Sequence, residues 1–172
     1  GLFDADVRYA DYSCVCAGTV FDRFLTQRSI SMEHVDFVVP FENVGDSAGI
    51  GAGTLDLARI MSGGNLKVAD RVMALLGASG LLRDGVAFQS GSGASLAILQ
   101  RLSDHFAANG LVASFTIGGI TQIHVEMLRR GAVDLILHGQ CFQPTDLVFD
   151  SLKNDPGHQE ATSSIYANLA CK

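Results

Sequence analysis

Positive charge is scarce in this chain. Twelve Lys and Arg face 18 Asp and Glu, leaving a formal net charge of −6. Such a balance lacks the electrostatic footprint of a non-specific nucleic-acid binder, so no nucleic-acid partner is expected, although a local basic patch could still meet an anionic ligand. Charged residues of either sign make up only 17% and hydrophobic ones 48%, which is too little charge for disorder and enough apolar matter for a core. No apolar run reaches the length of a bilayer span. The N-terminus lacks the basic-then-apolar layout of a secretion signal. We therefore expect no membrane partner and a cytoplasmic location. Cysteine is limited to Cys14, Cys16, Cys141 and Cys171. One Cys-x-Cys pair without a second is a weak metal signal, and the expectation is reduced thiols with no metal.

Several catalytic motifs are missing as well. The chain contains no Gly-x-x-x-x-Gly-Lys-Ser/Thr and no His-Glu-x-x-His, which excludes a nucleotide P-loop and a zincin helix. Gly91-Ser92-Gly93 supplies the first two glycines of a dinucleotide fingerprint, but Leu96 occupies the third place. The next strand-like run ends in Thr116-Ile117, with no acid for a ribose hydroxyl. No long internal repeat is present.

Glycine, in contrast, is plentiful at 19 residues. Two glycine-bearing turns follow strand-like runs: Gln89-Ser90-Gly91-Ser92-Gly93-Ala94 after Val86–Phe88, and Gly118-Gly119-Ile120-Thr121 after Val112–Ile117. Without a Cβ, such turns let backbone N–H groups approach a ligand closely. Leu66, Ala69, Val72, Met73 and Leu76 predict a helix over about 65–77, ended by Gly77 to Gly80. Leu99, Leu102 and Phe106 predict another over about 94–108. Thr121 reads as the N-cap of a third, closed by Gly131, and a fourth starts near Pro144-Thr145-Asp146. A third strand is predicted over Val133–His138. Earlier, Val35–Phe41 and part of Asp11–Gly18 read as strands, Phe21–Gln27 as a short helix, and Glu42–Thr54 as loop. The first residues read as strand or loop.

Strand–turn–helix three times over predicts parallel α/β structure. Its turns should share the carboxyl edge of the sheet, where open α/β folds bind ligands. Residues Gln89–Gly93, Gly118–Thr121 and Gly139–Gln143 should therefore line one rim. Among the histidines, His138 ends the third strand at that rim and is the site candidate. His105 and His124 read as surface or core residues, and His158 as a loop cap. Arg129 and Arg130 fall in a last helical turn, where they complement the dipole. Gly1 in place of Met, with no tapering at Leu169–Lys172, leads us to expect cut ends in a longer chain.

The stretch Gln89-Ser90-Gly91-Ser92-Gly93-Ala94-Ser95-Leu96-Ala97 resembles a signature of the citrate lyase alpha subunit, the citrate CoA-transferase component. The resemblance extends, in the same order, to Val44-Gly45-Asp46-x-Ala48-x-Ile50-Gly51-Ala52-Gly53, Ser114–Thr121, Asp155-Pro156-Gly157-His158-x-Glu160 and Tyr166-Ala167-Asn168. It implies a parallel-sheet α/β fold of the CoA-transferase-like (NagB/RpiA/CoA-transferase-like) kind. Residues 1–80 would be the C-terminal part of a first CoA-transferase domain, and 81–172 the N-terminal part of a second. The implied activity is exchange of acetyl for citryl on a CoA-like thioester, either acetyl-CoA or a carrier-bound dephospho-CoA-type prosthetic group. The implied partners are citrate or a similar carboxylic acid, with acyl-carrier and lyase subunits in an oligomeric complex.

On this resemblance, Gln89, Ser90, Gly91, Ser92 and Gly93 would hold the thioester, and Gly118, Gly119 and Thr121 would serve catalysis as substrate and oxyanion contacts. Related CoA-transferases use a glutamate nucleophile at about the position of Gly118, so its absence here implies direct exchange without a covalent enzyme intermediate. The family turn usually reads Gly-x-Gly-Gly-Ala-Ser, one glycine longer than this chain has between Gly93 and Ala94. His138 and Gln143 occupy places usually held by acids, and Asn43 and Gly49 places where basic residues are common. With half of each domain missing, the chain alone is expected to be inactive. The alternative is a diverged, non-catalytic α/β module that binds CoA-like thioesters or partner subunits. A weaker one, a sugar-phosphate isomerase of related fold, would need a Lys and Asp pair that the sequence does not provide.

Overall fold

The structure is a computed structural model and describes residues 3–18, 30–44, 57–91, 93–143 and 145–162. The elements expected over Phe21–Gln27 and most of the loop Glu42–Thr54 lie outside these residues, as do Ser92, Pro144, Tyr166–Asn168 and Cys171.

Two parallel sheets are formed. The smaller pairs β1 (Cys14–Ala17) with β2 (Phe37–Pro40), Cys14 opposite Phe37. Asp36 accepts from the Ser13 N–H at 2.7 Å and steadies the entry to both strands. The N-terminal stretch corrects the sequence reading: Phe3–Tyr9 is a helix, α1, not strand or loop. Arg8 falls in its last turn, where a cation suits the helix dipole.

The larger sheet has four strands in sequential order: β3 (Ala87–Ser90), β4 (Phe115–Ile120), β5 (Ile136–Cys141) and β6 (His158–Glu160). All of its pairings are parallel. Besides the short α2 (Leu57–Ile60), the helices are α3 (Gly63–Ala78), α4 (Ser95–Asn109), α5 (Gln122–Arg129) and α6 (Asp146–Asn154). The periodic apolar residues explain them. Leu96, Leu99 and Phe106 of α4 are buried together with Ile123 and Met127 of α5, Ile136 of β5 and Val148 of α6. Gly110, at φ +63°, ends α4 in the left-handed conformation that glycine adopts most readily. Thr145 caps α6 by accepting the Val148 N–H.

α3 lies against α4. Ile60 and Ala69 belong to the same apolar cluster as α4, and Arg101 pairs with Asp70 at 3.0 Å across the two helices. α3 and α4, on either side of residue 80, share one core. Arg129 does more than complement a dipole, since it reaches Asp150 of α6 at 2.9 Å.

Strand ends differ from expectation. β3, β4 and β5 each continue past the residue where the sequence pattern stops, to Ser90, Ile120 and Cys141. In particular, no second glycine turn exists. Gly118 and Gly119 are strand residues of β4, and Thr121 alone links that strand to α5. Hydrogen bonding on both sides of a central strand outweighs the poor strand propensity of glycine.

Candidate functional site

The parallel sheet brings the carboxyl ends of β3, β4 and β5 to one edge, as the sequence pattern requires. Ser90 lies opposite Gly118, Gly118 opposite His138, and His138 opposite Glu160, so one row crosses all four strands. Between Gly118 and Gly119 the register with β5 shifts, and Gly139 is left without a Cα partner. Gly118 has φ +107°, and a Cβ built there would meet the Gln89 side chain. The structure thus brings together two predicted site residues, Gln89 and Gly118.

The first glycine turn is a true turn. Gly91 to Ala94 separate β3 from α4, and Gly93 has φ +69° with open space around it. Alanine would fit sterically at Gly93 but would pay the left-handed penalty of about 1–2 kcal/mol. We expect Gly93→Ala to destabilise the full-length protein by about 1 kcal/mol, which denaturant titration checks. Beside the turn is a cavity of about 290 Å³, with Val72 and Leu76 of α3 and Ile98 and Leu102 of α4 as apolar wall and Gln89 and Ser90 on its polar side.

The second group of predicted residues is differently placed. Gly118 and Gly119 are buried. A Cβ on Gly119 would overlap the Phe142 ring, so that ring rests directly on the Gly119 backbone. Thr121 is fully buried as the N-cap of α5. Gln143 covers the start of that helix, where its Oε1 accepts the Gln122 N–H at 3.1 Å.

His124 is the residue the sequence reading passed over. It is fully buried at the third position of α5. The Thr121 N–H donates to its Nδ1 at 3.0 Å, and its Nε2 is 3.0 Å from Ser90 Oγ. The motif is a capping box in which histidine takes the place of the usual Glu or Gln. Because Nδ1 receives a backbone N–H, it holds the lone pair. The ring proton is therefore on Nε2, which donates to Ser90 Oγ. Burial pushes the His124 pKa down to about 4, so the ring is neutral near pH 7. The spacing Thr-x-x-His ahead of an apolar helix was the available signal.

His138, the histidine expected at the rim, is there and buried. Burial lowers its pKa to about 4. Its Nδ1 is 2.9 Å from His158 Nε2, the rings are stacked, and His158 Nδ1 is 2.9 Å from Ser151 Oγ. His158 is therefore a buried residue of β6 within this network, which corrects its reading as a loop cap. Among the described residues, no group of three His, Cys, Asp or Glu could hold a metal ion. Among them, too, no helix is long and apolar enough to cross a membrane.

The family model for the citrate lyase alpha subunit (CitF) matches residues 1–172. The citrate lyase alpha chain of Haemophilus influenzae is 30% identical over the whole of this chain and 34% of its own length. That of Klebsiella pneumoniae is 33% identical over 84% of this chain and 28% of its own length. A crystal structure of the putative alpha subunit of citrate lyase from Streptococcus mutans, in complex with citrate, superposes with a TM-score of 0.66 at 29% identity. It covers 97% of this chain and 32% of its own. The chain thus spans about a third of the length of the relatives it matches.

Proposed function

The chain belongs to the citrate lyase alpha-subunit family, and from that premise we propose that it works within a citrate CoA-transferase, exchanging acetyl for citryl on a CoA-like thiol. The observation that carries the proposal is the row Ser90–Gly118–His138 at the carboxyl edge, with Gln89 against Gly118. This edge joins a glycine-bearing connection to an apolar cavity, a combination suited to a thioester on a long arm. The citrate bound in the Streptococcus mutans relative supports a carboxylic-acid substrate.

In the proposed reaction, a citrate carboxylate oxygen adds to the acetyl carbonyl carbon of the thioester. The tetrahedral oxyanion collapses, expelling the thiolate and leaving an acetyl–citryl anhydride. The thiolate then attacks the citryl carbonyl and releases acetate. Such a sequence asks for positioning and hydrogen-bond donors more than for a strong base. Glycine at position 118 provides no carboxylate nucleophile, which supports direct exchange. The acyl-carrier and lyase subunits would be the partners of this edge.

The test is acetyl-to-citryl exchange by the full-length protein with acetyl-CoA and citrate. Isotope exchange between the two acyl groups is expected, and no exchange with any di- or tricarboxylate would overturn the proposal. The burial of Gly119 under Phe142 and of Thr121 in its cap favours a second reading, a non-catalytic module for CoA-like thioesters. Tight CoA binding without turnover would mark that reading.

A further inference from the structure

We propose that Ser90 is the hydroxyl that hydrogen-bonds the developing oxyanion, and that His124 is a positioning residue that turns the Ser90 proton toward the substrate. This rests on the exchange reaction proposed above.

The geometry is a chain of forced choices. The Thr121 N–H is a backbone donor and cannot reverse its role, so Nδ1 of His124 accepts. Nε2 must then carry the hydrogen, and the Ser90 oxygen must accept it. A hydroxyl that accepts from a fixed donor keeps its own hydrogen for another acceptor. Among the described residues, no such acceptor is in contact with Ser90 Oγ. Ser90 is half-buried at the last position of β3, next to Gly91 and the apolar cavity. An incoming carbonyl oxygen at this edge would complete the chain from Thr121 N–H through His124 to Ser90.

The same geometry argues against the other familiar role of a Ser–His pair. A histidine that activates serine must accept its proton, and here the facing nitrogen already holds one. Ser90 is therefore assigned a hydrogen-bonding role. No bond forms to its oxygen and no proton leaves it; the oxyanion gains a hydrogen bond as it forms and loses it as the thiolate departs. His124 is held neutral in one tautomer, with its ring locked by the first turn of α5. It acts through Ser90 and does not touch the substrate.

The experiment is steady-state exchange by the full-length protein with acetyl-CoA and citrate, together with mass spectrometry of the Ser90 peptide during turnover. Loss of one oxyanion donor costs roughly 100- to 1,000-fold in kcat. Ser90→Ala is expected to lower kcat by about 100-fold with KM nearly unchanged, and Ser90→Thr to recover part of the loss. His124→Phe is expected to lower kcat by roughly 10-fold in the Ser90 protein and to change nothing further in the Ser90→Ala background, because its effect passes through the hydroxyl. His124→Gln, whose amide N–H can replace Nε2–H, is expected to recover activity that His124→Phe loses. Three results overturn the inference while leaving the exchange reaction standing: an acetyl or citryl group on Ser90, full activity in Ser90→Ala, or additive losses in the Ser90→Ala/His124→Phe protein. Wild-type protein without exchange overturns the reaction and the inference together.

Discussion

Replacing Gly119 with alanine is expected to unfold the edge of the sheet that carries the site. A methyl group at this position would occupy space held by the Phe142 ring, while the backbone on either side is fixed by pairing with β5. Phe142 is anchored by its N–H, which donates to the Ile120 carbonyl at 3.0 Å, so displacing the ring disturbs the segment that carries Gln143, whose side chain caps α5. Overpacking a tight contact typically costs 1–3 kcal/mol and sometimes more. Here the methyl would fall inside the ring of a half-buried residue whose backbone N–H is tied to the Ile120 carbonyl, so we expect about 3 kcal/mol, seen as poor soluble yield and a clearly lowered thermal transition of the full-length protein. Pairing Gly119→Ala with Phe142→Ala should be less destabilising than the sum of the two single changes, because each relieves the other's defect. Wild-type melting of Gly119→Ala would show that the ring does not rest on that backbone.

The second large effect expected is acid instability well above the carboxylate range. His124 and His138 are held neutral by burial, each with a pKa of about 4 in the fold against 6.5 when exposed. Between these values the unfolded chain binds protons that the folded chain does not. Their contribution is therefore complete above pH 6.5, falls as pH drops toward 4, and is absent below. A shift of this size corresponds to roughly 3 kcal/mol for each ring. Desolvation dominates at both rings; at His124 a backbone hydrogen bond at Thr121 offsets it in part and the charge on His138 adds to it. His124 meets the Thr121 N–H and the Ser90 hydroxyl, and His138 meets the imidazole of His158. Unfolding of the full-length protein followed by denaturant titration should show stability declining steeply from pH 6.5 to 4.5. The double change His124→Gln with His138→Gln should flatten that slope by about two protons. Constant stability across the window would contradict the assignment.

Helices were the legible part of this fold. Their apolar spacing and their stops are local properties, so α3, α4 and α5 could be read within a residue or two. Thr121 and Gly131 bracketed α5 for the same reason. Strand ends were harder, because pairing is not local. Gly118 and Gly119 have the composition of a turn, and only their neighbours Ser90, His138 and Gln140 make them strand. The same limit hid His124. Its interest lies in a hydrogen bond to a residue 34 positions earlier, which no window of sequence contains. His138 was legible because it ends a run of apolar residues. His158 was not, because β6 is only three residues long and exists by pairing with β5. Gln89 and Ser90 could be singled out from the glycines that follow them, but not their contacts, Gln89 with Gly118 and Ser90 with His124.

One feature of the α5 junction limits how the family can vary in length. A single residue joins β4 to α5, and each residue added or removed there would turn the helix by roughly 100° about its axis. His124 would swing away from Ser90, and the apolar face of α5 would leave the core. Four residues lie between β3 and α4, so the connection can take up an added or missing residue without turning α4, whose apolar face also packs in the core. Insertions and deletions should therefore accumulate among relatives between β3 and α4 and be purged from the junction between β4 and α5.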